Sequence, residues 1–362
     1  MGSLRVLELY SGIGGMHYAL KESGVPAQVV AAVDINTTAN QIYRHNFPDT
    51  PLWPKTIEGI TLDDFNKLSF DMILMSPPCQ PFTRIGLQGD VADPRTKSFL
   101  YILDLLPREC LVKTLKDCGY TFQEIMVSPS SVGIPNSRLR YFLIAKASPG
   151  SFSFQTSSEI LDSFPRPAEN TSDSQKPTVS DPFCPSTCQQ EENAEESRVL
   201  YKLETMKDAQ RKSNQNSNLS VQQIQDFLEL RTEVARYLLP PKVLLRYGVL
   251  MDIVRPTCRR SVCFTKAYGH YVEGTGSVLQ SCMETELESV FKALDQQSEE
   301  EKLQQLLKLK LRYFTPREIA NLMGFPQSFA FPEQISTKQQ YRVLGNSLNV
   351  VVVTRLIQLL VS

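Results

Sequence analysis

The stretch Phe70-Asp-Met-Ile-Leu-Met-Ser-Pro-Pro-Cys-Gln-Pro-Phe-Thr83 limits what this chain can fold into more than any other. Met72 to Met75 is a short apolar run, the signature of a strand buried inside a sheet. Pro77, Pro78 and Pro81 then bar helix and remove backbone donors, so the chain leaves the strand through a stiff loop that presents Cys79. A lone cysteine is most often an inert core residue. At the C-terminal end of a strand in an open α/β sheet, where such folds keep their ligands, Cys79 is placed to act as a nucleophile.

The flanking segments supply the sheet. Leu4 to Leu9 is an apolar run followed by Tyr10-Ser-Gly-Ile-Gly-Gly15 and a helical pattern through Met16, Ala19 and Leu20, the strand, glycine turn and helix that open a doubly wound fold. Val29 to Val33 reads as the second strand and ends at Asp34, a carboxylate about 20 residues past the glycines that suits a ribose diol. The glycines lack the third position of G-x-G-x-x-G, which turns the reading away from a pyrophosphate, while the adenosine of NAD or of S-adenosylmethionine fits Asp34 equally. Thr38 to His45 is helical. A third βα step falls near Leu52 to Ile60, where Ile57 and Glu58 either flank an adenine or belong to a plain loop. After Cys79, the polar stretch Arg84 to Asp90 is a lid over the thiol or a simple connection.

The rhythm then breaks. Ser98 to Leu106 and Glu109 to Lys116 are both helical, and no strand fits between them, although a parallel sheet requires one between successive crossover helices. Phe122 to Val127 and Tyr141 to Ala145 resume the strands. Between them, Arg138 and Arg140 fall on one side of an extended segment, as an anion or base contact or as a solvated pair.

Residues 148–198, rich in Ser, Pro, Glu, Gln and Asn, predict a disordered linker between a first part, 1–147, and a second region, 199–310. That region has helical patterns, including Val221 to Leu238 and Ser289 to Leu311. The chain carries 38 Lys and Arg against 39 Asp and Glu, so any nucleic-acid contact must be a local patch. Arg255 to Tyr271 is the candidate: Arg259, Arg260, Lys266 and Tyr268 interleave cations with an aromatic ring, a composition suited to phosphates and unstacked bases or to a solvated edge. Residues 311–362 close the chain, with Thr315 as a helix N-cap and Leu344-Gly-Asn-Ser-Leu-Asn349 introducing an apolar helix. Eight irregularly spaced cysteines and three histidines predict no metal site and a reduced compartment, cytoplasm or nucleus. No apolar run of about 18 residues suggests a membrane span.

In order along the chain, Tyr10 to Gly15, Pro77-Pro-Cys-Gln80, Ser137-Arg-Leu-Arg140 and Gly345-Asn-Ser347 resemble the cofactor, nucleophile, arginine and closing motifs of the cytosine-C5 methyltransferase family. Pro-Pro-Cys-Gln-Pro-Phe-Thr83 and Cys263-Phe-Thr-Lys-Ala-Tyr-Gly269 are most similar to its eukaryotic tRNA(Asp) branch, with Ala267 where that branch prefers glycine. The resemblance implies a Rossmann-like catalytic sheet with a smaller target-recognition domain, spanning 199–310. It implies S-adenosylmethionine held at Ile13, Gly14, Gly15, Asp34, Ile57, Glu58, Ser76 and Ser347, with Cys79, Arg138 and Arg140 catalytic. It implies cytosine 38 of tRNA(Asp) as target, contacted by Arg84, Arg259, Arg260, Lys266 and Tyr268, with DNA as the alternative substrate. The family also carries a strand ending in Glu-Asn-Val, whose carboxyl group protonates cytosine N3, between the nucleophile and arginine motifs. This chain has no such tripeptide there, at the same place where one βα step is missing. Impaired turnover, or binding of cofactor and tRNA without catalysis, therefore stands beside full activity as an expectation.

Overall fold

The computed structural model describes residues 2–77, 108–166, 206–229, 234–271, 274–294 and 297–362. At the centre of the first sheet, β1 (Leu4–Leu9) pairs in parallel with β2 (Ala27–Val33) on one side and β4 (Met72–Met75) on the other, and β3 (Leu52–Trp53) continues beyond β2. Val6 and Leu7 point to opposite faces of β1 and are both fully buried, which is why this strand reads as a continuous apolar run. The crossover helices are α1 (Gly15–Glu22), α2 (Thr37–Asn46) and α3 (Leu62–Leu68). Asn36 caps α2 by accepting from Ala39 N at 3.1 Å, and Thr61 and Asp64 cap α3 reciprocally.

Helix α4 (Arg108–Asp117) leads into β5 (Tyr120–Val127) and β6 (Arg140–Ala147), an antiparallel pair running from Tyr120 opposite Ala147 to Val127 opposite Arg140. The break in rhythm predicted from sequence has a structural counterpart here: among the described residues the parallel sheet ends at β4, and the hairpin stands as a separate two-stranded sheet. Residues 148–166, expected in the disordered linker, instead pack on the hairpin, with Phe154 buried and Leu161 bridging Ile125. Phe152, Phe154 and Phe164 supply apolar area that the polar average of the stretch conceals. Residues 167–198 of that predicted linker lie outside the described residues, as do 199–205 at the start of the second region.

Helices α5 (Met206–Ser217), α6 (Pro241–Tyr247), α7 (Leu287–Ala293) and α8 (Glu299–Lys308) accompany a small sheet of β7 (Ile253–Val254), β8 (Val278–Gln280) and β9 (Leu311–Arg312). A core of its own, with Leu244, Met251, Val278, Phe291 and Leu309, holds this region together. The helix predicted over 221–238 is replaced by single 3-10 turns at Ile224–Phe227 and Val234–Tyr237. Ile224 N and Gln225 N donate to Cys258 O at 2.9 Å and Pro256 O at 2.8 Å, so donors that would build a helix are engaged by a neighbouring segment. The single helical region read over 289–311 is likewise divided, because Ser298 and Glu301 form a capping box that restarts the helix and Leu311 turns into β9.

The chain returns through α9 (Pro316–Leu322), α10 (Thr337–Asn346) and α11 (Val350–Val361). Thr315 caps α9 as its sequence predicts, accepting from Glu318 N at 3.1 Å. Helix α11 is apolar nearly all round because it is packed from two sides. Val353 and Ile357 join the main core with Val6, Tyr43 and Leu344, whereas Val352, Leu356 and Leu359 meet Ile125 and Val127 of the hairpin.

Candidate active site

The turn after β1 sits at the C-terminal edge of the parallel sheet, where an open α/β fold binds its ligand. Tyr10 has φ 55, a left-handed conformation that costs a non-glycine residue free energy and recurs at functional sites. Gly14 has φ 87 and serves as the N-cap of α1, and a Cβ there would fall on the Phe47 ring. Asp34 binds the turn from the end of β2: its Oδ2 accepts from Gly12 N at 2.8 Å and its Oδ1 from Asn36 N at 2.7 Å. Burial raises the Asp34 carboxyl above its ordinary range, against the lowering effect of these bonds. A carboxylate accepts about four hydrogen bonds, so capacity for a diol remains.

Around this turn Tyr10 Oη, Ser11 Oγ and Asn40 Oδ1 are buried without a hydrogen-bond partner. Each such group costs about 1–3 kcal/mol unless something completes it. Burial, then the charges of Glu58 and Asp34, push the Tyr10 hydroxyl up, which places Tyr10 electrostatically between two of the residues expected to hold a cofactor. Ile57 is buried beside Leu9, Val33 and Ile60, while Glu58 is exposed. Ser76 Oγ donates to Tyr10 O at 2.9 Å, tying the end of β4 to the same turn. These orphaned polar atoms, the uncovered carboxylate capacity and the glycine cradle fit an adenosine-bearing cofactor.

Behind the turn lies a polar chain not anticipated from the sequence. Tyr43 Oη donates to Glu8 Oε2 at 2.8 Å, and His17 Nδ1 lies 2.8 Å from the same hydroxyl. The hydroxyl of Tyr43 thus links the Glu8 carboxyl to the imidazole of His17 in one chain of hydrogen bonds. Burial pushes the Glu8 carboxyl up to about 8, with the Tyr43 bond opposing it, and lowers His17 to about 4, with Lys21 adding to the effect. The only hint in the sequence was an acidic residue inside an apolar strand.

The closing motif completes the wall. Ser347 Oγ would lie 3.3 Å from a Cβ at Gly15, so the two motifs touch. Arg138 is buried and crosses to both sides of this wall: Nη1 donates to Phe264 O at 3.1 Å and to Cys263 Sγ at 3.2 Å, and Nη2 donates to Gly345 O at 3.1 Å and to Ser347 O. Arg140 is exposed, with Nη1 donating to Leu139 O at 2.7 Å and Nη2 lying 3.8 Å from Cys263 Sγ. The two arginines thus share one side, as their spacing predicted, but Arg138 is committed to the interior and Arg140 faces outward. A Cβ on Gly345 would overlap the backbone of Thr265 and Lys266, so only glycine lets α10 approach that segment this closely.

The predicted nucleic-acid set divides. Lys266 is exposed on the segment that meets Gly345. Arg260 is buried in an ion pair with Asp252 at 2.8 Å, which Lys212 joins at 3.0 Å. Tyr268 is buried, donating to Ser277 O at 2.7 Å and accepting from Phe314 N at 2.9 Å. The Arg259 side chain donates to Val221 O. The interleaving of cations and rings in 255–271 therefore reflects interior packing at Arg260 and Tyr268 rather than a surface for bases. Cys79 and Arg84 lie outside the described residues.

The profile of the C-5 cytosine-specific DNA methylase family matches in two pieces, residues 4–110 and 107–362. A tRNA (cytosine(38)-C(5))-methyltransferase of Homo sapiens is 53% identical over 395 aligned positions, covering 99% of this chain and 100% of that protein. A DNA (cytosine-5)-methyltransferase of Dictyostelium discoideum is 36% identical, covering 100% of this chain and 95% of that protein. A crystal structure of Spodoptera frugiperda DNMT2 superposes with a TM-score of 0.75 at 36% identity, covering 99% of this chain and 100% of that one.

Proposed function

Since the chain belongs to the cytosine-C5 methyltransferase family, we propose that it methylates C5 of an anticodon-loop cytosine, position 38 of tRNA(Asp), with S-adenosylmethionine as donor. The observation that carries this reading is the convergence of five distant segments on one wall: Gly15 against Ser347, Ser76 on Tyr10, and Arg138 on both Phe264 and Gly345.

When bound, S-adenosylmethionine supplies an electrophilic methyl group on a sulfonium. Ile13, Gly14, Gly15, Asp34, Ile57, Glu58, Ser76 and Ser347 are the residues proposed to hold it, with Asp34 accepting from the ribose and Tyr10 and Ser11 completing their unmet hydrogen bonds on its polar groups. C5 of cytosine is a poor carbon nucleophile. Addition of the Cys79 thiolate at C6 makes an enamine and turns C5 into a competent one; loss of the C5 proton and elimination of the thiolate then free the product. A free thiol of pKa about 8.5 is only a few per cent ionised at pH 7, so nearby positive charge must help. Arg140, exposed and reaching the sulfur of Cys263, is suited to that role and to holding the base. Arg138 acts as a positioning residue that binds the closing motif to the 263–264 segment. A stacked base hides C6, which favours an RNA loop over duplex, and a formal net charge of −1 disfavours tracking along DNA.

The test is transfer of labelled methyl from S-adenosylmethionine to tRNA(Asp), with duplex DNA as competitor and Cys79→Ser as control. Label at the anticodon-loop cytosine, abolished by the serine, supports the reading; no transfer by folded protein refutes it for this chain. One observation favours a second reading, binding without turnover: the family match is interrupted at 107–110, where the Glu-Asn-Val strand is missing. Calorimetry with the cofactor and a tRNA shift assay, both positive in the absence of transfer, would establish it.

A further inference from the structure

The family profile and the sheet are interrupted at the same place. The two matched pieces meet within residues 107–110, just where α4 begins, and the hairpin that follows is not laddered to β4. The alignment with the Homo sapiens relative runs over 395 positions against a chain of 362 residues, so the relative carries residues that this chain lacks.

The hairpin has not moved across to close the interruption. Helix α11 supports both sheets, packing against α1 on one side and the hairpin on the other, and the chain still superposes on the Spodoptera structure over 99% of its length. Among the described residues, β4 is laddered only to β1 and β6 only to β5, leaving one edge of each without a backbone partner. Apolar side chains beside these edges are uncovered: Ile73 and Met75, alternate residues on one face of β4, are 41% and 39% exposed, and Leu139, at the entry to β6, is 58% exposed. Unpaired, apolar strand edges are templates for another strand.

We propose that this gap is a strand acceptor, which takes one extended apolar peptide in trans, hydrogen-bonded in parallel to β4. The partner's chemistry follows from the walls. It is short, since β4 spans only Met72–Met75. It is apolar and β-branched where it pairs, above all on the face it shares with buried Leu74, with the family's Glu-Asn-Val tripeptide at its C-terminal end. It has no proline there, because each backbone N–H is needed for the ladder. The segment of the Homo sapiens relative that falls opposite residues 107–110 is the occupant to which the proposal commits. Affinity comes from main-chain bonds, and specificity from alternate side chains set against Ile73 and Met75.

The experiment uses the unmodified full chain and three synthetic peptides: that segment, a scrambled version, and a version with proline at alternate positions of its strand. Hydrogen exchange of the Met72–Met75 and Arg140–Ala147 amides is followed by mass spectrometry, and binding by fluorescence anisotropy. The native segment is expected to bind one to one and to slow exchange in β4 by about tenfold at about ten times its Kd, while the other two peptides do neither. Absence of binding, or binding that leaves both strands unprotected, overturns the proposal. So does full protection of the β4 edge in the chain alone, which would mean that another part of this chain already occupies the gap. As a check on the site, Ile73→Arg in a variant shown to be folded should weaken the peptide at least about tenfold. None of these readouts requires methyl transfer.

Discussion

Replacing Glu8 by Gln separates the energetics of the buried polar chain from those of every other titrating group. The Glu8 carboxyl is fully enclosed, and burial, opposed by the Tyr43 hydrogen bond, raises it from 4.5 to about 8. In the unfolded chain the group is ionised above pH 4.5, while in the folded chain it keeps its proton until about pH 8. The folded state therefore binds more protons in that window, and stability must fall as pH rises through it. The rise from 4.5 to about 8 corresponds to about 5 kcal/mol in total, of which about 2 kcal/mol falls between pH 6 and pH 8. Glutamine keeps an acceptor for Tyr43 and has no proton to lose. His17, lowered to about 4, acts in the opposite direction, its contribution being lost as pH falls below 6.5, but it is present in both proteins and cancels in the difference. Urea unfolding of the native chain and Glu8→Gln at pH 6, 7 and 8 should show the variant gaining about 2 kcal/mol on the native protein across the range. If the two curves stay parallel within about 0.5 kcal/mol, Glu8 is not the buried, protonated group described here.

Three further outcomes follow from the packing. Gly345→Ala should destabilise by about 2–4 kcal/mol in urea, since the new methyl group meets the backbone of Thr265 and Lys266, which cannot move aside as a side chain end can. Arg138→Met should cost about 2–4 kcal/mol by leaving the carbonyls of Phe264, Gly345 and Ser347 unsatisfied, whereas the exposed Arg140→Ala should leave stability within about 0.5 kcal/mol and lower methyl transfer or tRNA affinity instead. Arg260→Met should cost about 3–5 kcal/mol by weakening the compensation of buried Asp252, yet leave the salt dependence of tRNA binding by the remaining folded protein unchanged, because Arg260 is turned inward.

Much of the architecture was legible in the sequence because it rests on local rules. The apolar runs at Leu4–Leu9 and Met72–Met75, the glycine turn, the Thr315 cap and the Asn349 start of α11 each depend on a few adjacent residues, and each took its place. The break in βα rhythm was readable for the same reason, no strand pattern fitting between Leu106 and Glu109: among the described residues the hairpin is a sheet separate from β4, while the helix read over Ser98 to Leu106 lies outside them. Long-range pairing was not readable. The 221–238 helix failed because its donors found partners at Pro256 and Cys258, and 148–166 ordered because three phenylalanines reached the hairpin. The same holds in the site. Spacing gave Arg138 and Arg140 as an equivalent pair, and composition gave Arg260 and Tyr268 as a face for nucleic acid. The sequence alone determined which chemistries were present and in what order along the chain; which cations face solvent and which hold the core was decided by the tertiary structure, because burial and partner choice depend on segments more than a hundred residues apart, such as Arg138 and Phe264.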